Sequence, residues 1–423
     1  MRSVAKSILS RINRLSESLG LNCRAILVGS AARGTWLAGD HDLDIFIAVS
    51  EETDLTRALE LARIVAPEHE EKYAEHPYVH AFIEGFDVDL VPCYLLESAA
   101  CIKSAVDRTP FHTQYISAHI ESLEDEVLLL KQFMKGIGVY GSELKVGGFS
   151  GYLAELLILR YGSFIDALKA ASSWRPGEII DLEKHSIMQH NEPLIVVDPV
   201  DPARNVAAAL TLDKMLQFES ASRCFLKAPD IRFFFPERQK PLSDERLMDA
   251  IQKRKSCFIL IEFDAPNVVE DILFPQLRKA EDSVRALLKR NEFSVLRSDV
   301  CSYSDKASML LELDIWKLPD VVRRIGPPVW DEQNLARFLE AHPNILSGPY
   351  IENGRAVVEV TRKYMLAIDL LEKEISSISL GKHLSAEIKK GYKIYVNQEL
   401  SQIKDEAFRI FLADYLEKRT KIC

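Results

Sequence analysis

The sequence predicts a multidomain α+β protein. Its 423 residues, 47% hydrophobic and 27% charged, have the composition of a globular chain. At about 100 to 200 residues per domain, this length predicts three or four domains. Short segments of alternating apolar and acidic residues near the N-terminus predict strands, and longer segments with apolar residues at helical spacing predict helices around them.

The first predicted elements lead to a glycine turn. Residues 1–20 predict a helix packed on a domain, because apolar residues recur there at helical spacing. Apolar Ala25–Val28 predicts a buried strand, and Gly29-Ser30 predicts a turn that opens a short helix. Such a turn exposes backbone N–H groups, which favours the binding of a polyphosphate.

A second strand, predicted from Asp42 to Val49, carries two carboxylates. Because side chains alternate across a strand, Asp42 and Asp44 lie on one face and Leu43, Ile45 and Ile47 on the other. Two carboxylates that point the same way repel each other unless a cation lies between them. This arrangement therefore predicts a site for a divalent metal ion.

A predicted hairpin supplies further carboxylates. Its strands are 81–84 and 86–92, with Gly85 at the turn and Pro92 at the end. Asp87 and Asp89 share a face, and one of them joins the first two carboxylates if the strands are neighbours. Three carboxylates can hold two Mg²⁺ ions about 3.5 to 4 Å apart.

Eight segments carry a resemblance to a known family: Gly29-Ser30, Arg33–Leu37, Asp42–Phe46, Val88–Tyr94, Thr109–Thr113, Gly136–Gly141, Gly148–Glu155 and Asp198–Ala207. They resemble the nucleotidyltransferase core of archaeal, class I tRNA CCA-adding enzymes, in the polymerase-β-like superfamily. The Gly-Ser turn and the Asp-x-Asp pair would fit any superfamily member, and the Gly136–Gly141 and Gly148–Glu155 blocks narrow the resemblance. It is dense over the first half and thinner from about residue 240. Asp42 stands where the family often has Glu, which shortens the side chain but keeps its charge.

The resemblance implies a domain order. A polymerase-β-like catalytic head would span residues 1–120 and a helical neck residues 121–192. An α/β body would combine 193–242 with 349–423, so that the strand at 356–361 and the helices after it pack on residues 195–240. An inserted RNA-binding tail would span residues 243–348. The predicted β-α-β-β order from Cys257 to Ile315 fits a ferredoxin-like or RRM-like tail.

The resemblance also implies roles for individual residues. Asp42, Asp44 and Asp89 would bind two Mg²⁺ ions and carry catalysis. The nucleotide would be bound by Gly29, Ser30, Arg33, Thr109, His112, Lys131, Tyr140 and Arg204, with Arg204 facing the base.

The sequence pattern itself adds to the description of two of these positions, Lys131 and Arg204. Lys131 lies off the apolar face of a predicted helix and is free to point elsewhere. Asp201-Pro202 predicts the start of another helix, with Arg204 in its first turn. Because a cation is unfavourable at a helix N-terminus, we expect an anionic partner for Arg204.

The implied function is template-independent addition of C, C and A from CTP and ATP to the tRNA 3′ end, with release of pyrophosphate. The partners would be the tRNA acceptor stem and 3′ end, and a homodimer is left open. A net charge of −10 disfavours indiscriminate nucleic-acid binding, so RNA would meet local basic patches. Two alternatives remain: a poly(A) polymerase-like terminal transferase, and a catalytically inactive RNA-binding scaffold.

Cysteine usage and hydropathy predict a cytoplasmic protein without a membrane span. The seven cysteines form no Cys-x-x-Cys pair, which predicts neither a zinc site nor a disulfide framework and fits a reducing compartment. No segment contains 18 consecutive apolar residues, the length that a spanning helix needs.

Overall fold

The computed structural model describes residues 1–73 and 75–417. These form two compact units, one of residues 1–237 and one of residues 238–417. Cys423 and the end of the predicted segment 349–423 lie outside the described residues. None of the helices in the described part combines the length and the apolar character needed to cross a bilayer.

The first unit contains two sheets and eight α-helices among its described residues. They are α1 (Arg2–Ser18), β1 (Cys23–Leu27), α2 (Gly29–Arg33), β2 (Asp42–Val49), α3 (Leu55–Val65), β3 (Glu70–Tyr73), β4 (Pro77–Ile83), β5 (Phe86–Tyr94), α4 (Thr109–His119), α5 (Glu124–Gly136), α6 (Gly151–Tyr161), α7 (Phe164–Ala171), β6 (Glu178–Ile180), β7 (Leu194–Asp198), β8 (Asp201–Asn205) and α8 (Leu212–Lys227).

The larger sheet has the strand order β1-β2-β5-β4-β3. β2 and β5 are parallel, and the other neighbouring strands are antiparallel. Leu43, Ile45 and Ile47 are buried in one core with α1 and α3, which confirms the predicted alternation along β2. The acidic side chains therefore lie on the opposite face of the sheet.

The predicted hairpin is confirmed, but its second strand does not end at Pro92. β5 continues to Tyr94, and Pro92 pairs with Ile47 of β2. β5 pairs with β4 from the Phe86–Ile83 pair as far as the pair of Leu90 with Val79. Pro92 therefore lies beyond the part of β5 that β4 covers. A proline, which lacks an N–H donor, is tolerated where a strand has a neighbour on one side.

Helices α4 to α8 enclose a second core, in which Phe133 and Phe218 are fully buried. A small sheet of β6, β7 and β8 packs on the same core through Leu194 and Val196. Residues 121–237 therefore bury their apolar faces within the first unit.

The predicted helix at Asp201-Pro202 is wrong, because residues 201–205 form strand β8, antiparallel to β7. The Asp201 side chain accepts the Ala203 N–H at 3.2 Å, a bond that an aspartate makes in a turn as readily as at a helix start. Asn205 then ties the strand to β7, since its amide accepts the Val196 N–H at 2.9 Å and donates to the Leu194 carbonyl at 3.0 Å.

The second unit contains two further sheets. Its described elements are α9 (Asp244–Arg254), β9 (Cys257–Asp264), α10 (Glu270–Arg290), β10 (Ser294–Tyr303), β11 (Lys306–Ile315), β12 (Val321–Pro328), α11 (Glu332–Glu340), β13 (Ile345–Glu352), β14 (Arg355–Thr361), α12 (Ala367–Glu374), α13 (Lys382–Lys390), β15 (Lys393–Val396) and α14 (Glu406–Glu417).

The predicted β-α-β-β order is confirmed by β9, α10, β10 and β11. Their sheet has the antiparallel order β10-β11-β9-β15. The fourth strand, β15, comes from the segment that we assigned to the second part of a body domain.

The predicted packing of the strand at 356–361 on residues 195–240 joins segments from two different units, and it stays a prediction. β14 pairs with β12 and β13, and the helices after it, α12 and α13, join the core of β9 and α10. Residues 195–237 belong to the other unit. The sequence pattern shows which face of an element is apolar, but many surfaces can cover such a face, so the partner does not follow from the pattern.

Candidate active site

The acidic face of the larger sheet is assembled by strand register. Because β2 and β5 are parallel neighbours, Asp42 lies opposite Asp87 and Asp44 opposite Asp89. Residues that pair across neighbouring strands point to the same face, so all four carboxylates share it. This confirms the predicted face and the predicted neighbour of β2.

Electrostatic repulsion between these carboxylates is only partly compensated by neighbouring cationic groups. Burial, followed by the charges of Asp89 and Asp42, raises the pKa of Asp44 to about 6, against a smaller opposing effect of Arg33. Burial, with the charges of Asp40, Asp87 and Asp89, also raises the pKa of Asp42. Carboxylate oxygens are the ligands that hard divalent cations prefer, so the donor set and its unbalanced charge fit such a cation.

The carboxylates do not already form a closed cage. Among the described residues, no three histidine, cysteine or acidic side chains stand in a ready metal-ligating arrangement. Binding a cation at Asp42, Asp44 and Asp89 would therefore require side-chain rotation toward it.

His80 contacts the acidic cluster from β4 and was missed in the sequence. Its Nδ1 lies 2.7 Å from Asp89 Oδ1, and its Nε2 lies 3.6 Å from Asp87 Oδ1. The signal was available, because counting outward from the turn at Gly85 places His80 opposite Asp89. His80 therefore helps to orient the Asp89 carboxylate.

Gly29 meets the acidic face directly. Its φ is +69°, and a Cβ atom added there would overlap Oδ2 of Asp44. The adjacent backbone is fixed to β2, since the Val28 N–H donates to the Asp44 carbonyl at 3.0 Å. Glycine is therefore required both by the backbone conformation and by the close approach of the carboxylate. The turn brings Ser30, which is half-buried, next to the acidic face.

A buried carboxylate, Glu155 on α6, holds two of the predicted nucleotide contacts. Its Oε2 lies 2.9 Å from Arg33 Nη2 and its Oε1 lies 3.2 Å from Lys131 Nζ. Thr35 Oγ1 also donates to it, and Lys131 donates to the Thr35 carbonyl at 2.9 Å. Although burial opposes ionisation, Lys131 and Arg33 lower the pKa of Glu155 overall.

The expectation that Lys131 is free on its helix is wrong. The side chain is 1% exposed, and its ammonium already has Glu155 and Thr35 as partners. Contact between Lys131 and a nucleotide stays a prediction. Tyr140 lies beside it, because a Cβ at Gly151 would be 3.1 Å from the Tyr140 hydroxyl and 3.4 Å from Lys131 Nζ.

Arg33 also connects this cluster to α4, since its Nη1 donates to Thr113 Oγ1 at 3.2 Å. α4 begins at the half-buried Thr109 and carries His112 on its first turn. Through Arg33, the Gly-Ser turn, the acidic face and the start of α4 are brought together.

A second buried carboxylate, Asp198 at the end of β7, brings together His112 and Arg204. Its Oδ2 lies 2.8 Å from His112 Nε2 and 2.8 Å from Arg204 Nη1. The expected anionic partner of Arg204 therefore exists, although the helix from which we argued it does not. Tyr152 stacks on His112 with ring centroids 4.1 Å apart and donates its hydroxyl to Asp198 at 3.2 Å.

Sequence reasoning missed both buried carboxylates, although each lies in a segment quoted for the resemblance. Glu155 is the one acidic residue of α6, an otherwise largely apolar helix. A carboxylate in that position signals a buried charge, which needs cationic partners.

Known domain families match most of this chain. Three domain families match in succession: "Nucleotidyltransferase domain" over residues 8–112, "tRNA nucleotidyltransferase, second domain" over 125–235, and "CCA-adding enzyme, C-terminal domain" over 254–397. Among solved structures, that of E. coli MS115-1 CdnC with ATP matches at a TM-score of 0.42 and 21% identity, covering 56% of this chain and 86% of that one. A TM-score this low adds nothing to the assignment.

Relatives match over almost the whole chain. The CCA-adding enzyme of Methanosarcina acetivorans is 49% identical over 92% of this chain and 88% of its own length. Those of Methanoregula boonei and Methanothermobacter thermautotrophicus are each 42% identical, over 99% and 98% of this chain and 92% and 93% of theirs. These matches confirm the resemblance found in the sequence, and the chain belongs to the archaeal CCA-adding enzyme family of nucleotidyltransferases.

Proposed function

We propose that this protein adds C, C and A to the 3′ end of tRNA without a template, using CTP and ATP and releasing pyrophosphate. The observation that carries the proposal is the acidic face on which Asp42, Asp44 and Asp89 lie beside the Gly29-Ser30 turn. The proposal agrees with the names of the relatives, each called a CCA-adding enzyme.

The three carboxylates would hold two Mg²⁺ ions. When bound, these ions would offset the charge of the triphosphate and make the proton of the tRNA 3′-hydroxyl easier to lose. The raised pKa of Asp44 supports this assignment, because burial and the charges of its neighbours both disfavour the ionised carboxylate and a bound cation would offset both effects.

The remaining site residues would bind and orient the nucleotide. Gly29, Ser30 and Arg33 would hold the triphosphate together with Thr109, Lys131 and Tyr140. His112 would contact the nucleotide beside them, and Arg204 would face the base. The 3′-hydroxyl oxygen would attack the α-phosphorus, forming one P–O bond as the bond to pyrophosphate breaks. Catalysis would then rest on positioning and charge neutralisation, with no covalent enzyme intermediate.

The second unit would supply the tRNA contact. Its helix α10 exposes four cationic side chains, Lys279, Arg285, Lys289 and Arg290. Exposed cations on one helix are suited to RNA phosphates, and they offset locally the net negative charge of the chain. We infer that the β9-α10-β10-β11 segment is the RNA-binding tail behind a polymerase-β-like head and a helical neck.

The test is incorporation of labelled CTP and ATP into tRNA that lacks its last three nucleotides. We expect extension by three nucleotides that requires both triphosphates. A poly(A) polymerase would ignore CTP and make long tails, and an inactive scaffold would consume no nucleotide in the presence of Mg²⁺. Either result would overturn the proposal.

Asp89→Ala and Asp87→Ala form a matched pair of variants from one strand. We expect Asp89→Ala to abolish incorporation while tRNA binding stays within a few fold, because Asp89 lies opposite Asp44. Asp87→Ala should be mild, since that side chain is more exposed. Normal turnover in Asp89→Ala would contradict the assignment of the catalytic carboxylate.

A further inference from the structure

The side chain of Asp198 is fully buried, and both of its oxygens accept hydrogen bonds from neighbouring groups. Oδ2 accepts from His112 Nε2 and from Arg204 Nη1, each at 2.8 Å. Oδ1 accepts from the Tyr152 hydroxyl at 3.2 Å and from the Val200 N–H at 3.1 Å. Because both oxygens have two donors, the carboxylate cannot rotate without losing charge-assisted bonds.

This carboxylate fixes the tautomer of His112. A carboxylate only accepts hydrogen bonds, so the proton of the bond lies on His112 Nε2. Burial lowers the pKa of His112, and the charges of Arg204 and Arg108 lower it further. The hydrogen bond and charge of Asp198 act in the opposite direction, but the overall shift is downward. In the neutral ring Nδ1 is then an acceptor, and the stack on Tyr152 holds the ring plane.

The same oxygen holds one end of Arg204. The backbone of Arg204 lies in β8, and its side chain is 36% exposed. A guanidinium group has five N–H donors in a rigid plane, so a bond at Nη1 sets the direction in which the remaining donors point. The buried anion thereby orients a half-exposed cation.

We propose that Asp198 is a positioning residue that sets nucleotide selection, because one buried oxygen decides which atoms His112 and Arg204 present to the nucleotide. The inference rests on the proposed function, in which His112 and Arg204 contact the nucleotide. Asp198 acts through these two side chains.

Asp198→Asn tests the inference with little change of shape. If the amide nitrogen takes the place of Oδ2, it faces the donors of His112 and Arg204 and cannot accept their hydrogen bonds. If it takes the place of Oδ1, it faces the donors of Tyr152 and Val200 instead. His112 would have to change tautomer, and Arg204 would lose its charged anchor. We expect KM for CTP to rise at least tenfold and selectivity for CTP over UTP to fall at least tenfold, with kcat within about threefold of wild type.

Asp201→Asn is the matched control from the same turn. Asp201 pairs with Arg108 at 3.0 Å and accepts the Ala203 N–H, so the variant loses a similar ion pair but should keep wild-type selectivity. An equal loss of selectivity in Asp201→Asn, or wild-type selectivity in Asp198→Asn, would overturn the inference.

A double-mutant cycle separates positioning from general damage. If Asp198 acts through Arg204, Asp198→Asn should change selectivity less than twofold in an Arg204→Ala background. Full additivity of the two effects would contradict the proposal.

Nitrogen-15 NMR of histidine-labelled protein gives a readout that does not need activity. We expect the Nε2–H tautomer for His112 in the wild type and a different state in Asp198→Asn. Should that variant fail to fold, an Nδ1–H tautomer in the wild type still refutes the inference. A wild-type protein that incorporates no CTP would instead contradict the proposed function and leave the tautomer measurement to judge the Asp198 contact.

Discussion

Asp44→Asn should stabilise the metal-free protein while it abolishes nucleotide incorporation. Burial and the charges of Asp89 and Asp42 raise the pKa of Asp44 from 3.8 to about 6. The folded state therefore holds this proton to a higher pH than the unfolded state does. Its free energy of unfolding falls as pH rises through this window and stays lower above it. Asparagine removes the ionisation and with it the loss of stability.

The size of the effect follows from the two pKa values. The difference, at 1.36 kcal/mol for each pH unit, corresponds to about 3 kcal/mol, so we expect a gain of about 1 to 3 kcal/mol at pH 7.5. At pH 4.5, where the unfolded carboxyl is only partly protonated and the folded one almost fully, the same linkage leaves about 1 kcal/mol or less.

Urea unfolding in EDTA, monitored through hydrogen exchange of peptides from β2 and β5, measures the stability of the first unit alone. Asp87→Asn is the control, since Asp87 lies on the same face but acts on Asp42, and its gain should be smaller. Mg²⁺ at 100 times its Kd should stabilise the wild type by about 2.7 kcal/mol and Asp44→Asn much less. Equal stability of wild type and Asp44→Asn at pH 7.5, or a gain that does not shrink at pH 4.5, would refute the reasoning.

Two further predictions concern the groups around this carboxylate. Gly29→Ala should lower the rate of incorporation by about 100-fold or more, because its Cβ would displace the Asp44 carboxylate. The control is Gly20→Ala, which has φ +59° and no atom within 4 Å of its Cβ; it carries a similar backbone strain of about 1 kcal/mol and should stay active. Comparable losses of activity in both variants would contradict this reasoning. Glu155→Gln should destabilise the first unit by about 3 to 5 kcal/mol, since it leaves buried cations unpaired, as measured by urea unfolding. The control is Asp166→Asn, which breaks the exposed pair with Lys169 and should leave the stability unchanged. An equally unchanged stability in Glu155→Gln would show that the buried cluster does not stabilise the unit.

The parts of the site that follow from local periodicity could be predicted from the sequence. The alternation along β2 and the turn at Gly85 fix which face each carboxylate takes, and both are confirmed. The sequence could not establish that β2 and β5 are neighbours, because the pairing of strands 45 residues apart depends on the whole sheet.

The parts that depend on tertiary partners could not be predicted. Lys131 reads as a surface lysine on its own helix, and only the approach of Glu155 and Thr35 explains its burial. β8 reads as a helix start, because the bond of Asp201 to a following N–H is shared by both structures. In each case the local signal was real and a contact from another element decided the outcome.

The position of β15 in the second sheet has a practical consequence for dissecting this protein. A fragment cut at residue 348 would contain β9 but not Lys393–Val396, which pairs with it along Ile259–Glu262. That side of β9 would become a bare apolar edge, which invites association between copies of the fragment. A fragment made to test RNA binding should therefore include β15 and also α14, whose Phe408 and Leu412 pack with Phe258 and Leu260 on the other face of β9.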